Sequence, residues 1–170
     1  MSSRNFFTDV SNGMIKVDLQ NENQQLVHSF LNNLILPYIE AYLITLSYFS
    51  VSTNHIAYEE ENLYRQIQWL LETFYTQGAL KYYESCALES IKNAVRKYSL
   101  MGVLQTQRIQ VKKTVFRTDV KITQAYMDEA KLKELFDSLA FYLPYSPCND
   151  LKFLQNEIRK LTVSDLVAKL

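Results

Sequence analysis

Two histidines are the only side chains of this 170-residue chain whose ordinary pKa would let them trade a proton near neutral pH. His28 is followed five positions on by Asn33, and His55 by Glu60. A general base needs an orienting partner and a bound substrate within hydrogen-bond reach. His28 falls between Val27 and Phe30 on the edge of an apolar stripe, the place of a structural side chain. His55 lies in a polar stretch beside Glu59, Glu60 and Glu61, as histidines at exposed helix starts commonly do. Serine chemistry of the Gly-x-Ser-x-Gly kind has no matching motif. Cys86, within Tyr83-Glu84-Ser85-Cys86-Ala87, has no neighbouring histidine to activate it. It stands 62 positions from Cys148 with no C-x-x-C spacing, which argues against a disulfide framework or a zinc site and for ordinary thiols in a reducing compartment. The consecutive acids Glu59, Glu60 and Glu61 would point in different directions on a helix and suit its positive end better than a metal. Three glycines, Gly13, Gly78 and Gly102, are too far apart to cradle a phosphate. The expectation is a chain with no catalytic residue, no cofactor-binding residue, no metal ligand and no cofactor.

The elements that would position any site are mostly helical. Hydrophobic residues make up 48% of the chain and charged ones 21%, a balance that folds into one globular domain. Residues 1–25 read as an irregular segment with a short strand near 14–19. From Leu26, apolar residues recur at helical spacing through Phe30, Leu31, Leu34 and Ile35. Pro37 should kink or restart that helix, which continues over 37–51. The stretch 34–51 has Glu40 as its only charge, yet its proline, serines, threonine and tyrosines fit a buried core helix better than a membrane span. A second helix is expected over 59–77, with Leu63, Ile67, Leu70, Leu71 and Phe74 as its stripe and Gly78 as its cap. A third begins at Glu84 or Ser85, has Leu88, Ile91, Ala94, Val95 and Tyr98 as its stripe, and ends before Gly102. The period then changes to two, predicting a β-hairpin over about 103–122. Two further helices follow, over 123–142 and 150–160, broken at 144–147, with 161–170 as a tail. The fold class is mainly α: about five helices in a domain over 26–160, with a small hairpin after the third, a winged-helix-like order.

Eighteen Lys and Arg against eighteen Asp and Glu leave no net charge, so nucleic acid is not an expected partner of the whole chain. Arg108, Lys112, Lys113 and Arg117 nevertheless cluster on the hairpin and are the candidates for an interaction. Helix, helix, hairpin is the order in which a wing contacts nucleic acid or protein, and an interaction module of that kind is the alternative reading. The first residues lack the apolar core of a secretory signal, so an intracellular protein is expected.

Three stretches resemble a known family. Leu34-Ile35-Leu36-Pro37-Tyr38-Ile39-Glu40-Ala41-Tyr42 is similar to the L-x-P-[FY]-[IL]-E-x-Y element of glycerol-3-phosphate and dihydroxyacetone-phosphate acyltransferases, where it lies C-terminal to the catalytic domain. The run from Tyr82 to Ala94, with its Lys92-Asn93-Ala94 ending, resembles the next block, and Tyr98-Ser99-Leu100-Met101-Gly102-Val103-Leu104 resembles the aromatic-x-x-x-G-V-[LIV] stretch after it. The resemblance implies acyl transfer from acyl-CoA to a phosphorylated triose by the histidine of an H-x-x-x-x-D motif. Neither His28 with Asn33 nor His55 with Glu60 matches that motif, so no catalytic residue carries over. The chain looks like an accessory C-terminal part of such an enzyme, or one that has lost its catalytic half. The resemblance makes an acyltransferase catalytic domain the expected partner.

Ala168-Lys169-Leu170 has the small–basic–leucine pattern of a peroxisomal address, read by an import receptor at a free carboxylate. Within the family such an ending points to the dihydroxyacetone-phosphate branch, which starts ether-lipid synthesis. The expected location is therefore peroxisomal with peripheral membrane contact; the cytoplasm is the alternative.

Overall fold

The computed structural model describes residues 7–11, 14–17, 22–51, 57–112, 114–143 and 146–167. Two compact units emerge, Met1–Ile35 and Leu36–Leu170. In the first, β1 (Phe7–Ser11) and β2 (Met14–Val17) form an antiparallel pair in which Val10 faces Ile15 and Ser11 faces Met14. Part of the segment expected to be irregular is therefore a hairpin, and the expected strand near residue 14 is its second half. Helix α1 (Glu22–Val51) opens in this unit and continues into the second. It begins four residues before the first apolar residue of its stripe, because polar residues can supply a helix's first turn without contributing to that stripe. It also runs through Pro37 as one helix instead of restarting there.

In the second unit, β3 (Tyr58–Glu59) leads directly into α2 (Glu60–Thr76). The expected α2 stripe of Leu63, Ile67, Leu70, Leu71 and Phe74 is buried throughout. A short 3-10 turn, Tyr83–Cys86, precedes α3 (Leu88–Leu100), which buries Ile91, Ala94, Val95 and Tyr98. Leu88, expected in that stripe, remains 38% exposed because it occupies the first position of α3. At Gly102 a φ of +73° reverses the chain, a conformation that glycine adopts without a Cβ penalty.

The hairpin that follows consists of β4 (Leu104–Lys112) and β5 (Val115–Ile122), paired from Leu104 opposite Ile122 to Lys112 opposite Val115. Sequence reading missed β3, whose two residues are too few to show a period of two. Tyr58 faces Val120 and Glu59 faces Asp119, which makes a three-stranded antiparallel sheet in the order β3-β5-β4. The expected helix over 123–142 is shorter: a 3-10 turn at Gln124–Tyr126 comes first, and Asp128 then caps α4 (Glu129–Ala140) by accepting from the Ala130 amide at 3.0 Å. Asp150 accepts from the Lys152 and Phe153 amides and opens α5 (Leu151–Val167). α5 passes the expected end at residue 160 by two turns, so the backbone of 161–167 is helix and not tail. The resulting architecture is mainly α, with five helices and a small antiparallel sheet after the third. Leu43, Ile44, Leu46 and Phe49 of α1 share one buried cluster with the stripes of α2 and α3, with Phe136 of α4 and with Leu154 of α5.

Candidate functional site

Glu40 is the one charge in the apolar half of α1, and its side chain is fully buried. A buried carboxylate must find donors or lose its charge. Gly78, with a φ of +73°, supplies the geometry that brings those donors in. It ends α2 with the Ala79 and Leu80 amides turned back onto the Phe74 carbonyl, and the chain then passes Glu40. The Lys81 amide donates to Glu40 Oε1 at 2.9 Å and the Tyr82 amide to Oε2 at 3.3 Å. The Ser85 hydroxyl donates to the same Oε2 at 2.5 Å. Burial pushes the carboxyl above its ordinary pKa, while the Ser85, Lys81 and Tyr82 donors and the Lys81 charge pull it back down.

A second tie lies about half a turn further along α1. The buried Tyr98 hydroxyl donates to the Tyr42 carbonyl at 2.9 Å, and the two rings lie 5.7 Å apart at 52°. Burial pushes Tyr98 well above its usual pKa, so the phenol stays a donor. These two ties connect all three stretches singled out in the sequence: 34–42 to 82–94 through Glu40, and 34–42 to 98–104 through Tyr42. The Thr123 hydroxyl donating to the Gly102 carbonyl at 2.8 Å then anchors the end of the sheet. Sequence reading registered Glu40 only as a lone charge. The signal that could have found its role was that loneliness, because one acid in eighteen apolar-rich positions demands partners elsewhere in the chain.

Chemically, this cluster is a clamp. Both Glu40 oxygens accept from the chain's own donors, Oε1 from one and Oε2 from two, so the carboxyl is used to hold the fold together. A cavity of about 340 Å³ lies beside it, bounded by Leu36, Glu40, Lys81, Tyr82, Tyr142 and Ser146. The cysteines offer no nucleophile: burial pushes the Cys86 thiol up to about 11 and the Cys148 thiol up to about 12. Cys148 instead donates to the Ala79 carbonyl at 3.4 Å, holding the loop that serves Glu40.

The other residues weighed in the sequence that are described lie on several elements. His28 is partly exposed on α1, where the Asn32 amide lies 3.3 Å from its Nδ1. His55 falls outside the described residues. The three consecutive acids divide between elements: Glu59 is in β3 and accepts from the Asn62 amide, while Glu60 in α2 accepts from the Tyr64 hydroxyl. Among the described residues no group of three or more His, Cys, Asp or Glu side chains could hold a metal ion. A wider cleft of about 900 Å³ between α2, α3 and β4 carries Arg65, Lys92 and Arg96 against Glu60 and Glu61, a mixed lining with no single sign.

On the hairpin, the Arg108 guanidinium lies 4.3 Å from the centre of the Phe116 ring. Arg117 makes a bidentate pair with Asp119 at 2.7 and 3.1 Å. Lys112 ends β4; Lys113 and the terminal Ala168, Lys169 and Leu170 lie outside the described residues. α1 is the one helix among the described residues long and apolar enough to cross a membrane, and 56% of its most apolar window is buried.

Residues 5–107, more than half of the chain, match the family described as glycerol-3-phosphate acyltransferase C-terminal region. The match covers all three clamped stretches and ends at Gln107, within β4. No curated protein matches the chain.

Proposed function

The chain belongs to the glycerol-3-phosphate acyltransferase C-terminal region family, and from that premise we propose that it is the non-catalytic accessory domain of an O-acyltransferase of glycerophospholipid synthesis. The observation that carries this reading is the use made of the family stretches. Glu40 and Tyr98 tie them to each other, so the polar groups of these stretches serve the packing of the domain.

The acyltransferase catalytic domain is the partner, and its landing surface is the exposed apolar first half of α1. Leu26, Phe30 and Ile35 are 67%, 62% and 56% exposed there, a stripe that a neighbouring domain would cover. The Ala168-Lys169-Leu170 ending supports peroxisomal import and, with it, the dihydroxyacetone-phosphate branch that begins ether lipids.

Two measurements test the proposal. Incubated alone with acyl-CoA and either dihydroxyacetone phosphate or glycerol 3-phosphate, the chain is expected to release no free CoA. Turnover abolished by His55→Ala would overturn the accessory role. A fluorescent fusion carrying the native ending is expected to enter peroxisomes and to stay in the cytoplasm once Leu170 is deleted. Equal distribution of the two fusions would remove the peroxisomal assignment while leaving the accessory role in place.

A further inference from the structure

The outer half of the β4–β5 hairpin is set apart from its base by both burial and charge. Leu104, Asp119, Val120 and Ile122 are buried at the base. Beyond them, every described residue from Gln107 to Arg117 is exposed except the partly buried Ile109. Six residues of strand reach about 20 Å past the buried base. A two-stranded ribbon of this kind gains little stability by itself, so its length calls for something outside the core to contact.

Its composition indicates what that contact is. Between positions 104 and 122 five cations, Arg108, Lys112, Lys113, Arg117 and Lys121, stand against one acid, Asp119. That is a net +4 in a chain whose total is zero, so the rest of the molecule carries −4. Arg117 is occupied by Asp119. Among the described residues, Arg108, Lys112 and Lys121 pair with no carboxylate. At the tip three apolar side chains face water, with Val111 52% exposed and Val115 and Phe116 each 49% exposed. Opposite pairing of Gln110 with Phe116 and of Arg108 with Thr118 places Arg108 and Phe116 on one face of the ribbon. The register shift between Gln110 and Lys112 adds local twist at the tip.

We propose that this hairpin tip docks on an anionic phospholipid surface. Aliphatic and aromatic side chains enter the boundary between headgroups and acyl chains, while long cations keep their charged ends at phosphate level. Duplex nucleic acid would also attract the lysines, but it offers the two valines no apolar medium. A basic protein partner is excluded by the sign of the charge, and a second copy of the tip would bring like charges together. The inference depends on neither the peroxisomal address nor the catalytic partner.

Co-sedimentation of the 170-residue chain with vesicles of phosphatidylcholine, with and without phosphatidylserine, tests it. Binding is expected to be at least about tenfold tighter with phosphatidylserine and to weaken as salt is raised. Lys112→Glu combined with Lys113→Glu should reduce it by about tenfold or more. Val115→Ser combined with Phe116→Ser should reduce it by about tenfold, at unchanged helical circular dichroism. Lys131→Glu combined with Lys152→Glu alters net charge equally on exposed positions of α4 and α5, and should leave binding as it was. Three results would overturn the proposal: equal or absent binding to the two vesicle types, equal losses from the hairpin and α4/α5 lysine pairs, or duplex DNA captured in preference to vesicles through the same two lysines. Should the Val115/Phe116 variant fail to fold, the two lysine pairs alone still decide.

Discussion

The two halves of α1 are both apolar at helical spacing, yet they end in opposite environments. Leu43, Ile44 and Leu46 are 0% exposed, while Leu26, Phe30 and Ile35 in the first half are more than half exposed. The spacing of their apolar residues does not separate them. What does is the chain that returns to the second half: Lys81, Tyr82 and Ser85 converge on Glu40, and Tyr98 reaches Tyr42. In the first half Leu26, Phe30 and Ile35 stay open to water. Apolar spacing therefore states which side of a helix seeks cover, whereas long-range polar ties register that the cover has arrived.

The contrast can be broken or sharpened by mutation, with the largest effect expected deep in the second half. Phe49→Ala should destabilise the chain by about 3–5 kcal/mol in denaturant unfolding, through lost burial and the cavity left behind. Glu40→Ala should cost about 3 kcal/mol or more, because the Lys81 and Tyr82 amides and the Ser85 hydroxyl would remain buried without an acceptor. Glu40→Gln sharpens the same point through pH. A carboxyl whose folded pKa lies above its unfolded value contributes stability at low pH that is lost as pH rises through the folded pKa. The margin of the native chain over Glu40→Gln should accordingly widen as pH is lowered through that raised value, and a margin that narrows instead would contradict the upward shift. Tyr98→Phe removes one hydrogen bond and keeps the ring, so a loss of about 1 kcal/mol is expected. Phe30→Ser in the first half should change the stability of this chain by less than about 0.5 kcal/mol. If it cost as much as Phe49→Ala, the two halves would be alike and the comparison would fail.

Much of the fold could be read before the structure. The stripe of α2 stands out because five large apolar residues share one face without a proline or glycine between them, and all five are buried. The hairpin is visible where the period drops to two after Gly102. What escaped had physical reasons. β3 has two residues and owes its place to pairing with β5, a long-range event with no local pattern. The start of α4 depends on the Asp128 side chain capping Ala130, and the helical-looking residues before it form a 3-10 turn instead. The site was half legible: the three family stretches can be picked out one by one, but not the fact that Glu40 and Tyr98 fasten them together, since each bond spans more than forty positions.

Pro37 lies close to where α1 passes from one compact unit into the other, and it supplies no amide proton to the helix ladder. Opening the turns before it uncovers little that is not already in water, whereas opening the turns after it must pull Glu40 and Phe49 out of the interior. In deuterated buffer the helix should therefore behave as two clocks. Amides on the N-terminal side of the imino acid should exchange quickly through small local fluctuations, and those on its C-terminal side should wait for the whole domain to unfold.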